Sequence, residues 1–172
     1  MTSSHIIGML KGSHFEFTAM IASLSEEQFL QAEPGKWSPG QQLDHLVRSV
    51  APLERALNLP KFIPRMLFGK ANRPSRSYDE VVARYHDKLA QGGKASGKYV
   101  PAAVTVAQRD ALIDKLNDLV EKLSRSLGSY REEDLDTILL PHPLLGKLTL
   151  REMLYFTIYH VQHHHQGIAP IN

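Results

Sequence analysis

The sequence predicts an all-α protein built as a four-helix bundle, with long loops and a short extra helix between the second and third main helices. Four segments carry apolar residues at the spacing of three and four that is typical of amphipathic helices, and no segment alternates convincingly as a strand does. The chain has 172 residues, of which 42% are hydrophobic and 22% are charged. This length and composition predict a single domain over residues 1–172 with a core of its own.

The first main helix is predicted over residues 4–23. Its apolar residues recur at helical spacing and are Ile6, Ile7, Leu10, Phe17, Ile21 and Leu24. The motif SEEQ at residues 25–28 has the pattern of a capping box and predicts a short helical piece that AEPGK ends. His5 and His14 lie on the first helix, and surface positions are expected for both.

The second main helix begins in WSPGQQLDHL, where Ser38 suits the N-cap, Pro39 the first helical position and Gln41 the third. Its apolar face consists of Leu43, Leu46, Val47, Val50 and Leu53. Pro52 lacks a backbone N–H and its ring clashes with the preceding turn, so we expect it to kink or end this helix.

The middle of the chain is expected to be mostly loop. Residues 58–77 contain three prolines and one glycine and predict a long connection, a short helix follows over 78–90, and QGGKASGKYVP predicts a flexible loop. Long loops in a compact domain are uncommon and often line a site.

The same part of the chain is basic. Residues 55–98 hold ten Lys and Arg against three Asp and Glu, a net charge of +7, whereas the remainder of the chain has a net charge of −5. This segment is either a solvated connection or an attractor for an anionic substrate, nucleic acid or an acidic partner.

The third main helix is predicted over residues 106–127, with the apolar stripe Leu112, Leu116, Leu119, Val120, Leu123 and Leu127. LPHPLLGKLT predicts a turn-rich link in which a small β element can form but is not required. TLRE at residues 149–152 is a further capping box. It opens the fourth main helix, which carries the histidine cluster YHVQHHHQ.

Several classes of site and location are excluded by composition. The chain has no cysteine, so disulfides, thiolate zinc sites and cysteine nucleophiles are impossible, and a metal would need histidine, carboxylate, amide or water ligands. No stretch approaches the roughly 18 apolar residues of a membrane span. The N-terminal residues lack the basic segment and apolar run of a secretory signal, so we expect a cytoplasmic protein with no membrane partner.

Helical phase separates the four histidines of the last helix. With Met153 at zero, the apolar face centres at about 50°, while His160 falls at about −20° and His164 at about 20°, both within the buried arc. His163 falls at about −80° and His165 at about 120°, on opposite flanks. Imidazoles four residues apart can converge on one metal ion. The alternative is a pair of buried neutral histidines that hydrogen-bond to each other and to the backbone.

A third ligand is less well defined by the pattern. The remaining histidines are His5, His14, His45, His86 and His142. His45 lies off the apolar face of the second helix, near Gln42, Ser49 and Ala56. These small or polar groups can line a wet cavity or face solvent, so the pattern leaves the role of His45 open.

Two separated segments, KWSPGQQLDHLVRS and HPLLGKLTLREMLYFTIYHVQHHHQGI, resemble the DinB superfamily. The resemblance implies an up-down-down-up bundle that binds a divalent metal, commonly zinc or nickel, through one histidine of the second helix and two of the fourth. Carried onto this chain, the ligands are His45, His160 and His164. Gln166 stands one position earlier than in the family pattern, which keeps His163 open as a substitute for His164.

Three functions follow as hypotheses. The first is a metal-dependent enzyme acting on a small molecule, either a hydrolase or a transferase or isomerase that uses a low-molecular-weight thiol, as the resemblance implies. The second is a non-catalytic metal-binding or stress-response protein. The third and least favoured is nucleic-acid binding through residues 55–98, which lack an aromatic-interleaved basic stripe. We also expect a homodimer through a bundle face. Asp44, Tyr159 and Gln162 are expected at the surface, and the sequence shows no evident general base.

Overall fold

The computed structural model describes residues 1–168, so 169–172, the end of the predicted domain, lie outside it. Within the described part the chain forms eight α-helices and one antiparallel strand pair. The helices are α1 (Ser3–Ser23), α2 (Glu26–Leu30), α3 (Pro39–Leu57), α4 (Phe62–Phe68), α5 (Tyr78–Ala90), α6 (Arg109–Leu127), α7 (Glu132–Thr137) and α8 (Leu150–Gly167). The strands are β1 (Leu139–His142) and β2 (Gly146–Thr149). Single 3-10 turns occur at Gly97–Tyr99 and Val106–Gln108.

The helix starts follow the local capping chemistry of the sequence. At α3 the Ser38 hydroxyl accepts from the Gln41 N–H at 3.2 Å, and the Gln41 side chain accepts from the Ser38 N–H at 3.1 Å. Ser25, Ser77 and Thr149 close equivalent capping boxes at α2, α5 and α8. These caps satisfy backbone donors that a helix start otherwise leaves unpaired. The four predicted main helices and the predicted short helix over 78–90 are confirmed, although residues 106–108 of the third form a 3-10 turn before α6.

The four long helices bury their apolar stripes against one another. α1 packs on α6 and α8, and α3 packs on α6 and touches α8. The largest fully buried side chains of this core include Ile6, Leu10, Phe17, Ile21, Leu43, Leu46, Leu116, Leu123 and Leu127. The described residues contain no helix long and apolar enough to cross a membrane.

Prolines interrupt the helices less than the sequence suggests. α3 continues past Pro52 to Leu57, because Leu53 and Leu57 beyond the proline are both buried in the core and hold the last turn in place. The predicted connection over 58–77 contains a helix, α4, with Pro64 in its first turn. A proline there removes no helical hydrogen bond, since first-turn N–H groups have no intrahelical partner.

The turn-rich link forms the optional β element. β1 and β2 pair antiparallel, with Leu140 opposite Leu148 and His142 opposite Gly146. Gly146 adopts a φ of 77°, a left-handed conformation that glycine adopts without strain and that reverses the chain here. The hairpin packs on α8 and on α4. It fixes the position of His142 relative to the last helix.

A buried carboxylate ties the segment before α5 to the start of α8. Glu152 has no exposed surface, and it accepts from the Arg73 guanidinium at 2.8 Å, the Arg76 N–H at 2.7 Å and the Thr149 N–H at 3.0 Å. Burial alone would raise the pKa of Glu152, but Arg73 and the two amides outweigh it and lower that pKa below its usual value. Glu152 is therefore charged at neutral pH, and its charge is compensated within the fold.

His14 corrects a sequence expectation. It was expected at the surface, yet it is 1% exposed because it stands four residues after Leu10 and three before Phe17, on the apolar face of α1. Its Nδ1 donates to the Leu10 carbonyl at 2.8 Å, while Nε2 is buried with no hydrogen-bond partner in the described structure. Burial lowers the pKa of His14 to about 4.

This pKa predicts a pH-dependent stability that replacement of His14 with leucine removes. Between pH 6.5 and about 4, His14 takes up a proton in the unfolded chain but not in the folded one, so acid favours unfolding. The His14→Leu protein should gain stability relative to the wild type by up to about 3 kcal/mol as the pH falls from 7 to 4. Urea unfolding at several pH values measures this difference, and a difference that stays constant with pH would contradict the assignment.

Candidate metal centre

His45 on α3 is oriented by a loop that is distant in sequence. Its Nδ1 lies 2.7 Å from the carbonyl oxygen of Tyr99, in the 3-10 turn after α5. A carbonyl oxygen only accepts, so Nδ1 must carry the proton and Nε2 must carry the lone pair. That Nε2 faces His160 on α8, at 3.1 Å.

His164 on α8 is oriented by α3 in the same way. Its Nδ1 lies 2.9 Å from the side-chain oxygen of Gln42. The Gln42 amide nitrogen donates to the Trp37 carbonyl at 3.2 Å, which fixes which end of the amide faces the imidazole. The oxygen accepts, so His164 also carries its proton on Nδ1 and presents an Nε2 lone pair to the interior.

The three Nε2 atoms meet at one point. His160 Nε2 lies 3.1 Å from that of His45 and 3.2 Å from that of His164, and one nitrogen from each ring lies within 4.8 Å of the other two. Two nitrogens bound to a tetrahedral zinc at about 2.0–2.1 Å stand about 3.3 Å apart, and adjacent nitrogens of an octahedral ion stand about 2.9 Å apart. The observed contacts fall between these values.

All three imidazoles are neutral at pH 7. Burial lowers the pKa of His160 and His164 well below 6.5, and the neighbouring imidazoles lower both further. Burial also lowers the pKa of His45, although the Tyr99 carbonyl and Asp44 oppose this. Only His160 has a free choice of tautomer, so a proton on its Nε2 can satisfy one of its two contacts but not both. The donor set therefore fits a shared cation better than it fits three neutral rings alone.

The other histidines of the cluster point elsewhere. His163 stands on the flank, with its ring against Tyr85 and Tyr159, and His165 meets the edge of Phe17. Neither belongs to the three-histidine group. The geometry thus brings together the pair that helical phase selected and the His45 that the resemblance supplied, with His164 rather than His163 beside them.

A cavity of about 300 Å³ opens beside His45 and His160. Its walls are mostly apolar, and they include Leu46, Val50, Leu53 and Ala56 of α3, Met153 and Phe156 of α8, and Phe68, Leu89 and Leu144 from the surrounding segments. Lys94, Ser96, Lys98 and Tyr99 line it from the loop after α5, which the sequence predicted as a flexible segment. Ser49 and Ala56 line it too, so the predicted polar flank of His45 borders a cavity.

The burial of Asp44 also differs from the sequence expectation. Expected as an exposed charge, it is 9% exposed, and its Oδ2 accepts from Arg48 Nε at 2.7 Å and from the Ala102 N–H at 3.0 Å. Asp44 thereby fixes the loop whose Tyr99 carbonyl orients His45. The i, i+4 spacing of Asp44 and Arg48 was the available sequence signal for the ion pair, whereas the contact with Ala102 had none.

Tyr159 and Gln162 are half-buried rather than free at the surface. The Tyr159 hydroxyl lies 2.6 Å from His86 Nε2, and the Gln162 oxygen accepts from the Tyr78 hydroxyl at 2.9 Å. These contacts fix α5 against α8 and lie outside the three-histidine group.

The comparison with known proteins gives a family. No curated protein matches the chain. A family model described as the DinB superfamily matches residues 10–168, which contain α8, the hairpin and all three histidines of the group. This match covers most of the chain and agrees with the resemblance of the two motif segments. The chain belongs to the DinB superfamily.

Proposed function

We propose that this chain is a divalent-metal-dependent enzyme, with zinc or nickel bound by the Nε2 atoms of His45, His160 and His164. The observation that supports it most strongly is the convergence of three neutral imidazoles whose Nδ1 protons on His45 and His164 are held by oxygen acceptors. Such outer hydrogen bonds are typical of metal-binding histidines. Three protein ligands leave a coordination position for water or substrate, as in catalytic rather than structural sites.

The cavity is the proposed substrate-binding site of the enzyme. A bound divalent ion would lower the pKa of a coordinated water or thiol and would polarise a carbonyl. His45 and His160 form part of the cavity wall, so a molecule in the cavity lies beside the centre. The apolar walls exclude water and select an apolar substrate group. Lys94 and Lys98, in the loop after α5, add positive charge to the cavity wall.

Transfer of a low-molecular-weight thiol is the reaction that this cavity favours. The residues described as lining it include no aspartate or glutamate to act as a general base for water. A thiol ionises more readily than water and needs less help from a base. Lys94 and Lys98 suit a thiol that carries carboxylates, as glutathione does. Hydrolysis of an ester or amide is the alternative outcome of the test.

The test is a conjugation assay run beside an esterase assay. Zinc-loaded and nickel-loaded protein is given glutathione or mycothiol with monochlorobimane, and separately a p-nitrophenyl ester. We expect conjugation that depends on the metal and disappears after chelation. Ester hydrolysis without conjugation would support the hydrolase, and turnover in neither assay, in protein that retains its metal, would support a non-catalytic metal-binding role.

The up-down-down-up order of the long helices is part of the proposal. The neighbours of each helix agree with it, since α1 packs on both α6 and α8, and α3 packs on α6 and contacts α8. The histidines of the proposed site lie on α3 and α8, which contact each other, and metal sites in helix bundles are built from side chains on facing helices.

Replacing Gln42 with leucine tests the outer contact of the centre. The change removes the acceptor of the His164 Nδ1 proton and leaves the three imidazoles in place. We expect metal affinity to fall roughly 10- to 100-fold, as for other losses of such partners. Competition with a chromogenic chelator measures this affinity. Gln42→Glu is the matched control, because it keeps an acceptor oxygen, and an equal loss in both variants would contradict the role of that oxygen.

A further inference from the structure

His142 is a further histidine of the cavity wall, and its tautomer differs from that of His45 and His164. It stands at the end of β1 and lines the same cavity as His45 and His160. Its Nδ1 accepts two backbone hydrogen bonds, from the N–H of Leu144 at 3.1 Å and from that of Leu145 at 3.0 Å. Backbone N–H groups only donate, so Nδ1 carries no proton and the proton must be on Nε2. This tautomer is the opposite of that of His45 and His164.

The ring is fixed as well as its tautomer. It packs edge-on against Phe156 of α8, with ring centroids 4.3 Å apart and planes at 69°. Nδ1 faces the hairpin turn, so Nε2, at the far end of the ring, is the nitrogen available to the cavity. The hydrogen bonds of His142 within the described residues are those of Nδ1, so its Nε2–H is left for a ligand, and the residue is half-buried rather than enclosed. Burial lowers the pKa of His142 to about 4, which keeps the ring a neutral donor at physiological pH.

Two hydroxyl groups of the inner wall are already engaged by backbone carbonyls. The Ser49 hydroxyl donates to the His45 carbonyl at 2.8 Å, and the Thr157 hydroxyl donates to the Met153 carbonyl at 2.8 Å. His142 is therefore a preorganised donor in a cavity whose walls are mostly apolar. An unpaired donor in such a place discriminates against ligands that offer no acceptor, because it loses its hydration without gaining a bond.

We infer that His142 is a substrate-binding residue whose Nε2–H donates to an acceptor oxygen, such as a carbonyl oxygen, on a mainly apolar substrate in the cavity beside the three-histidine centre. The inference names the substrate class of the proposed enzyme and so rests on the proposed function. An electrophile of this class places its apolar part against the α3 and α8 walls. Its oxygen is then held by His142, with the adjoining carbon toward His45 and His160.

His142→Asn separates the donor from the turn. The asparagine Oδ1 takes the place of Nδ1 and can accept from the same two backbone N–H groups, as asparagine does in turns, but no donor reaches the position of Nε2. His86→Asn is the matched control, since His86 does not line the cavity. Circular dichroism and thermal unfolding verify that both variants fold.

The probe is a matched pair of small ligands, acetophenone and ethylbenzene, which differ in whether they carry a carbonyl oxygen. Their dissociation constants are measured by protein-observed NMR on the full chain as purified, and metal content is determined on the same samples. The wild type and His86→Asn should prefer acetophenone. In His142→Asn that preference should shrink about three- to tenfold, the usual range for one hydrogen bond, with ethylbenzene binding unchanged.

These measurements distinguish failure of the inference about His142 from failure of the proposed enzymatic function. An unchanged preference in His142→Asn would overturn the role of His142, even if metal-dependent turnover is found. A ¹⁵N spectrum showing the Nδ1–H tautomer for His142 would overturn it as well. A reduced preference in protein that has no metal-dependent turnover would sustain the donor role and count against the enzyme.

Discussion

Replacing His160 with alanine should reduce the bound metal from about one divalent ion per chain to below about 0.1, because three-imidazole sites depend on every ligand. His160 has the largest expected effect, since its Nε2 is the one that contacts both of the others, at 3.1 Å and 3.2 Å. Without it, His45 and His164 remain as two ligands on separate helices. Elemental analysis of untagged protein after extensive dialysis measures the ion content.

His163→Ala is the matched control for this change. It removes an imidazole from the same helix, three residues further on, and that ring lies against Tyr85 and Tyr159 rather than in the three-histidine group. We expect it to retain the wild-type metal content. Loss of the ion in His163→Ala together with its retention in His164→Ala would show that His163 takes the place of His164 as the third ligand.

Replacing Glu152 with alanine should lower the free energy of unfolding by about 3 kcal/mol, the lower part of the range for a broken buried ion pair. The carboxylate is fully buried, whereas its partner Arg73 keeps about a third of its side chain, 32%, in solvent. Removal leaves the guanidinium and the backbone N–H groups of Arg76 and Thr149 without their acceptor. Urea unfolding at pH 7 measures the loss.

The effect of Glu152 should also depend on pH in a defined direction. Its pKa is lowered in the folded chain, so its contribution is present above pH 4.5 and is lost as the pH falls through the lowered value. Glu133→Ala is the control, because Glu133 is 72% exposed and stands 3.8 Å from Arg131. That change should stay within about 0.5 kcal/mol. Equal losses in the two variants would show that Glu152 contributes no more than a surface charge.

Features encoded by neighbouring residues were predictable from the sequence. The start of α3 follows from Ser38, Pro39 and Gln41, and the start of α8 from Thr149 and Glu152, because a capping box is satisfied within one turn. The burial of His14 was also within reach of the sequence. Its spacing from Leu10 and Phe17 places it on the apolar face of α1. The expectation that His14 is exposed followed from its being a histidine and did not use this spacing.

The candidate site was predictable only in part. Helical phase selects His160 and His164 because both lie on one face of one helix. His45 receives its orientation from Tyr99, 54 residues away, and His164 from Gln42, 122 residues away. No local pattern encodes such contacts, so a resemblance had to supply His45. His142 escaped notice for the same reason, since its tautomer depends on a hairpin turn that the sequence allowed but did not require.

Anomalous diffraction from crystals of untagged protein, recorded on both sides of the zinc and nickel absorption edges, tests the central claim most directly. We predict one strong peak per chain at about 2.0–2.1 Å from the Nε2 atoms of His45, His160 and His164. A peak at His86 and His163 instead, or well-ordered imidazoles of the three-histidine group with no peak among them after incubation with either metal, would contradict the account.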